Sequence, residues 1–141
     1  MTVYVDSSFL VSVYIEDVHS PAADELLSTQ PTILLTSLHI AEWAHAVGQQ
    51  VFRRQISASD ARRVEREFET DHQAGLWRHV TIPESSFELC AQLARRHGAK
   101  LGVRMLDSLH VACALELKAE QFWTFDERQK KVAKAEGMKT N

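Results

Sequence analysis

Residues 103–127, VRMLDSLHVACALELKAEQFWTFDE, combine a helical pattern, a strand-like run and an aspartate at the start of each of two helices. An apolar stripe at helical spacing is formed by Leu106, Leu109, Cys113 and Leu117. It predicts an α-helix with that face against a core and with Asp107 in its first turn. Residues 121–125 are typical of a strand, and Asp126 then opens a charged helix that ends near Gly137. A carboxylate therefore follows the carboxyl end of a strand, the edge where ligands bind in open α/β sheets.

Upstream of this stretch, strand-like and helical patterns alternate along the chain. The strand-like runs are residues 2–5, 32–36 and 77–82. The helical patterns are residues 7–14, a segment that begins at Ser20-Pro21, and residues 38–54, 57–72 and 84–97. The last of these places Phe87 on its inner face and is expected to end at His97-Gly98. Strands separated by helices require crossover connections, which favour parallel pairing.

The expected fold class is therefore α/β, with three layers, α/β/α, around a central and mainly parallel sheet. No repeat, linker or low-complexity segment divides the chain, so residues 1–141 are expected to form a single domain. A chain of 141 residues buries roughly 68 to 70% of its unfolded surface, which is enough for one core without a metal or disulfide.

Composition and charge exclude several classes of protein. The formal net charge of −3 argues against broad, salt-driven coating of nucleic acid, although arginines concentrate in the middle of the chain and leave a local basic surface open. Cys90 and Cys113 lie in apolar helical patterns without metal-ligand spacing and are expected to be reduced core residues. The start of the sequence has no basic segment before Asp6, and no run is long enough to span a membrane. We therefore expect an unprocessed cytoplasmic protein.

Three aspartates stand near helix starts, where each has an ordinary structural explanation. Asp6, Asp107 and Asp126 are all placed to accept hydrogen bonds from free backbone N–H groups, and Asp126 with Gln129 forms a plausible capping box. However, Asp6 and Asp126 each follow a strand-like run. Because the carboxyl ends of parallel strands lie on one edge of a sheet, the two caps are also expected to share one acidic pocket.

Glu42 is ambiguous by pattern alone. It lies roughly opposite the predicted apolar stripe of its helix, which includes Ile40, Ala44 and Val47, so a solvated position is the simpler interpretation. Its place one turn into the helix after the second strand nevertheless brings it near the acidic edge. The histidines form no metalloprotease motif, and those in helical patterns are expected on helix surfaces or in packing: His39, His45 and His110.

The sequence resembles the PIN domains, and most closely the small VapC-type toxin ribonucleases of toxin–antitoxin pairs. Four motifs carry the resemblance in order along the chain: VDSSFLV around Asp6, TSLHIAEW around Glu42, MLDSLHVACAL around Asp107 and WTFDERQKKVAKAEG around Asp126. The resemblance implies that these four residues form the family's acidic quartet. It also implies that Ser8 and Thr124 support the quartet.

By the same resemblance, the protein is expected to be a Mg²⁺- or Mn²⁺-dependent endoribonuclease. These cations prefer oxygen ligands, and several carboxylates in one pocket would repel each other without a cation. The implied roles are metal ligation by Asp6 and Asp107, direct or water-mediated ligation by Asp126, and water positioning or a second metal for Glu42. No side-chain nucleophile is required. The implied partners are RNA, a small antitoxin and a second copy in a homodimer, with no membrane.

Three alternatives stay open or are excluded on particular residues. A phosphohydrolase of the haloacid-dehalogenase type also begins with an aspartate at a strand end, but its chemistry needs Asp-x-Asp, and the third position here is Ser8. A PIN-fold nuclease that processes RNA without an antitoxin fits the same motifs. A non-catalytic PIN-fold scaffold would usually have lost part of the quartet, and all four residues are present.

Overall fold

A computed structural model describes all residues, 1–141, and contains one five-stranded sheet. The strands are β1 (Thr2–Val5), β2 (Thr32–Leu35), β3 (Trp77–His79), β4 (Gln121–Trp123) and β5 (Lys139–Thr140). Their order across the sheet is β3-β2-β1-β4-β5, and every neighbouring pair is parallel. The chain builds the sheet outward from β1 first on one side and then on the other. The carboxyl end of β1 is therefore a topological switch point, where ligands bind in such folds.

The helices cover both faces of this sheet. They are α1 (Ser7–Tyr14), α2 (Ser20–Leu27), α3 (Ser37–Phe52), α4 (Ala58–Gln73), α5 (Ser85–Leu93), α6 (Ala99–Leu101), α7 (Met105–Glu116) and α8 (Glu127–Ala135). Helices α1 to α4 pack in one hydrophobic cluster with Val3 and Val5, whereas α5, α7 and α8 pack in a second cluster with Tyr4. Because successive strand residues point to opposite faces, β1 alone supplies both cores. The predicted α/β/α layering is confirmed.

Helix α7 is buried more completely than its predicted stripe implied. All eight residues from 107 to 114 are buried, while Leu106, which was predicted to face the core, is 40% exposed. The helix contacts both α5 and α8 and belongs to the cluster that covers the sheet, so core surrounds it. A helix that is buried on every side has no single apolar stripe, which is why periodicity misplaced Leu106.

The segment after β3 also departs from its prediction. Phe87 is exposed rather than inward, and Ser86, Cys90 and Leu93 form the buried face of α5. The helical path does not end at Gly98. A π-helical turn over Ala94–Gly98 leads into α6, and the path ends at Gly102, whose φ of 64° is left-handed. That conformation suits glycine because it lacks Cβ.

None of the helices combines the length and the apolar character that a membrane span requires. The two cysteines are free and buried, as predicted.

Candidate active site

Asp6 directly follows β1 and is the N-cap of α1. Its Oδ1 accepts a hydrogen bond from the Phe9 backbone N–H at 3.1 Å, and its Oδ2 accepts one from the Ser8 hydroxyl at 2.6 Å. The carboxyl group is almost completely buried. Burial raises the pKa of Asp6 above its ordinary value, and the opposing effects of Ser8 and His110 do not cancel the increase. An adjacent cation would favour the charged form of this group.

Asp107 lies in the first turn of α7 and is held from two directions. Its Oδ2 accepts from the Arg104 backbone N–H at 3.2 Å and from Arg104 Nε at 3.4 Å. Its Oδ1 accepts from Gln129 Nε2 at 3.1 Å. The bond from the Arg104 backbone N–H is the capping role that its position predicts, the contact with Arg104 Nε is an ion pair, and the bond from Gln129 joins α7 to α8. Asp107 is thus a cap and also part of a contact between two helices.

Asp126 follows β4 and is the N-cap of α8. Its Oδ1 accepts from the Gln129 backbone N–H at 2.9 Å, and Thr124 Oγ1 accepts from the Asp126 backbone N–H at 2.9 Å. The predicted capping box is only half formed, because the Gln129 side chain donates to Asp107 instead of returning to Asp126. Gln129 therefore connects two of the predicted site residues. The sequence pattern predicts only a capping role for Gln129, although its position three residues after Asp126 places it near the site.

Glu42 borders the buried face of α3 rather than opposing it. The buried residues of α3 are His39, Trp43 and Val47, and Ala44, which was predicted inward, is exposed. Glu42 precedes Trp43 by one residue and is half-buried, so its carboxylate lies where the helix meets α1 and α7. The buried face of α3 was predicted wrongly because it includes the polar ring of His39. A stripe drawn through apolar residues alone is rotated away from the true buried face.

Two side chains hold the Glu42 carboxylate. Ser7 Oγ donates to Oε1 at 3.0 Å, and His110 Nε2 is 2.5 Å from the same oxygen. Burial alone raises the pKa of Glu42, but the hydrogen bond and charge of His110, together with the bond from Ser7, outweigh it. The net pKa lies below the ordinary glutamate value. Glu42 is therefore favoured in its ionised form, which accepts protons.

His110 is a site residue, although its sequence pattern predicts a packing or helix-surface position. Its ring is buried, Nδ1 is 3.0 Å from the Tyr4 hydroxyl, and Nε2 faces Glu42. Nε2–H donates to Glu42, and the Tyr4 hydroxyl can either donate to Nδ1 or accept from Nδ1–H. One signal could have identified it. His110 follows Asp107 by three residues and so lies on the same side of α7.

The four predicted carboxylates line one pocket with a volume of about 190 Å³. Asp6 and Asp126 follow the carboxyl ends of β1 and β4. Glu42 lies in the second turn of α3, and Asp107 lies in the first turn of α7. The other lining residues are Ser7, Ser8, Arg104, Leu106, His110 and Gln129. Convergence at the switch point of the sheet thus brings all four carboxylates to one pocket. Their catalytic and metal-binding roles remain predictions.

The donor chemistry of this pocket suits a hard divalent cation. Its carboxylate oxygens are the ligand type that Mg²⁺ and Mn²⁺ prefer. Gln129 adds a further oxygen, since its Oε1 is buried without a hydrogen-bond partner. No three His, Cys, Asp or Glu side chains are already arranged around one metal position. Arg104, Gln129 and His110 engage oxygens of Asp107 and Glu42, so ion binding would require these contacts to readjust.

His39 stabilises the strand end from which Asp6 emerges. Its Nε2 is 2.7 Å from the Val5 carbonyl oxygen, and its Nδ1 accepts from the Thr36 backbone N–H at 3.0 Å. It therefore connects β1 to the start of α3, where Thr36 is the N-cap. Complete burial, with smaller contributions from His110 and His79, lowers the pKa of His39 to about 3. The ring is neutral in the folded protein.

Comparisons with known proteins agree with this architecture. A protein-family model described as PIN domain matches residues 3–135. No protein of curated function matches the sequence significantly. VapBC2 from Rickettsia felis, solved with a DNA fragment from its promoter, is similar at 15% identity and a TM-score of 0.66, covering 100% of this chain and 98% of that chain. VapC20 from Mycobacterium tuberculosis, a sarcin–ricin loop cleaving toxin, is similar at 15% identity and a TM-score of 0.69, covering 96% of this chain and 95% of that chain.

A toxin–antitoxin complex from Klebsiella pneumoniae is less similar in structure, with 13% identity, a TM-score of 0.54 and coverage of 88% of this chain and 86% of that chain. At such identities, these likenesses show the fold alone.

Proposed function

This chain belongs to the PIN domain family, and from that premise we propose that it is a Mg²⁺- or Mn²⁺-dependent endoribonuclease. PIN domains are typically nucleases and generally bind divalent metals. The observation that carries the proposal is the convergence of Asp6, Glu42, Asp107 and Asp126 on one pocket at the switch point of the sheet. We take residues 1–141 to act as a single nuclease domain.

Asp6 and Asp107 would be the principal ligands of the cation, with Asp126 bound directly or through water. The bound ion supplies activation of water and stabilisation of negative charge on phosphate oxygens. Ser8 holds one oxygen of Asp6, and Gln129 holds one oxygen of Asp107, so neither carboxylate is free to rotate. Such partners orient metal ligands and commonly change metal affinity or activity by about 10- to 100-fold when removed.

Glu42 would position the attacking water and accept its proton. Its lowered pKa keeps it ionised, and Ser7 with His110 fixes one of its oxygens while the other can face the water. Tyr4 in turn holds His110. Arg104 is the only lysine or arginine that lines the pocket, and its side chain is largely exposed. It is placed to bind a phosphate oxygen of the substrate.

We further propose that a small antitoxin silences this pocket. The likeness to toxin–antitoxin proteins supports such a partner. An antitoxin tail that places an Arg or Lys among the carboxylates would form charge-assisted hydrogen bonds and exclude the cation. The proposed active form is a homodimer in the absence of this partner. A structure of the complex in which the tail lies far from Asp6 and Asp107 would contradict the inhibitory mechanism.

RNA cleavage with purified protein tests the enzymatic proposal. The protein should cut RNA in millimolar Mg²⁺ or Mn²⁺, and excess EDTA should stop the reaction until metal is restored. An Asp6→Asn variant purified in the same way is the matched control for contaminating ribonucleases and should be inactive in both conditions. Cleavage by the native protein after thorough chelation would refute the metal-dependent mechanism.

A further inference from the structure

A second pocket adjoins the acidic one and has a different lining. Its volume is about 430 Å³, and it shares Ser7, Ser8, Glu42 and Asp126 with the acidic pocket. The volume falls within the range of small-molecule sites in proteins. The residues found only in this second pocket come from α1, the following loop, α3 and the segment after β4: Val11, Ser12, Asp17, His19, Ala46 and Phe125.

Three aromatic rings form a column beside this pocket, from the core to the surface. Phe9 is buried, and Phe125 stacks on it with ring centroids 5.5 Å apart and an interplanar angle of 12°. His19 stacks on Phe125 at 4.5 Å and 5°. His19 is exposed, and Phe125 stacks against only one face of its ring, so the column does not cover the other face. An exposed aromatic face that is held in place by packed rings behind it is a stacking platform for a planar group.

The His19 ring is held by its backbone as well as by stacking. Asp17 Oδ1 accepts from the His19 backbone N–H at 2.7 Å, and Asp17 Oδ2 accepts from the Ser12 hydroxyl at 2.8 Å. These bonds fix the loop between α1 and α2 against α1. The ring is therefore positioned before any ligand arrives, which reduces the entropy lost on binding.

The charges of the second pocket decide which part of an RNA strand it could hold. Asp17, Glu42 and Asp126 line it, and no lysine or arginine does. Three carboxylates without a basic residue disfavour a phosphate group. A nucleobase is neutral and planar, and its polar edge can bond to the serine and carboxylate oxygens on the walls.

We propose that this pocket binds one unpaired nucleobase of the RNA substrate, stacked on His19 and adjacent to the phosphodiester that is cut. The inference rests on the proposed ribonuclease function, because the shared residues place the base beside the acidic pocket. It limits the substrate of the proposed ribonuclease to RNA in which this base is not in a helix, since a base stacked within a helix has no free face. It also makes His19 a residue that determines where cleavage occurs.

Binding experiments in EDTA test this site without requiring cleavage. The probes are single-stranded RNA oligonucleotides of mixed sequence, each with 2-aminopurine at a different position, whose fluorescence is quenched by stacking. One position should be quenched on binding. His19→Ala should weaken affinity for that oligonucleotide about tenfold and relieve the quenching. His19→Trp should restore both, and His45→Ala, which removes an exposed histidine from α3, should change neither.

The outcomes separate this proposal from the nuclease proposal. Cleavage in Mn²⁺ should map beside the quenched position, and His19→Ala should broaden the choice of cleavage site. If His19→Ala and His45→Ala bind, quench and cut alike, the base site is refuted while the nuclease stands. If quenching depends on His19 but no metal-dependent cleavage occurs, the base site stands and the nuclease proposal fails. An RNA that binds in EDTA without quenching at any position refutes the base site.

Discussion

Acidification should destabilise this protein through one buried histidine, His39. Its Nε2–H donates to the Val5 carbonyl, and its Nδ1 accepts from the Thr36 N–H. A second ring proton would have to occupy Nδ1, where it would face that N–H donor instead of an acceptor. The folded protein therefore resists protonation of His39 down to a pKa of about 3, whereas the unfolded chain takes up the proton near 6.5.

The magnitude follows from these two values. Between them the unfolded state binds one more proton than the folded state, so the free energy of unfolding falls as the pH is lowered. The slope is about 1.4 kcal/mol per pH unit. From pH 7.5 to pH 5, the loss from His39 alone is about 2 kcal/mol, a substantial part of the 5 to 15 kcal/mol that typically stabilises a domain. Above pH 7 the contribution is fully present.

Urea denaturation at pH 7.5, 6 and 5 measures this effect. His39→Gln can keep a donor and an acceptor but has no titration in this range, so its free energy of unfolding should fall by about 2 kcal/mol less than that of the native protein. His45→Gln, on the exposed side of the same helix, should retain the native pH dependence. Equal pH dependence in the native protein and His39→Gln would refute the assignment of a neutral His39 ring with both nitrogens hydrogen-bonded.

Three further predictions concern the proposed catalytic apparatus. Asp107→Asn should change metal-free stability by less than about 1 kcal/mol, because the unpartnered Gln129 Oε1 can turn to accept from the new amide. The rise in Tm that Mn²⁺ produces and the cleavage of RNA should nevertheless both be largely lost. An equal Mn²⁺ shift with retained cleavage would reduce Asp107 to a helix cap. His110→Gln should lower kcat about 10- to 100-fold with a smaller change in KM, because His110 positions Glu42 rather than the substrate. A change confined to KM would contradict this role. Combined replacement by Ala of the exposed α4 arginines Arg62, Arg63 and Arg66 should weaken RNA binding and flatten its salt dependence. An unchanged salt slope would exclude that helix from the RNA interface.

The alternation of strand-like and helical segments was sufficient to predict the layered architecture. Parallel strands need crossovers, and the helical patterns between the strand-like runs supplied them, so the α/β/α fold followed from local chemistry. Asp6 and Asp126 were placed at one edge by the same argument. Local patterns overextended the strands, because β-branched and aromatic residues continue past the last paired residue: β2, β3 and β4 end at Leu35, His79 and Trp123.

The sequence by itself determined most of the strands and helices, though not α6, and which carboxylates stand at their ends, because propensity, capping and side-chain period act over a few residues. Only the tertiary structure decided which side chains meet in the pocket. The contact between His110 and Glu42 joins residues 68 apart, and the bond from Gln129 to Asp107 joins residues 22 apart. Both depend on the central position of β1, which sets how α3, α7 and α8 approach one another. Strand order results from the packing of the whole chain, so no local period in the sequence encodes it.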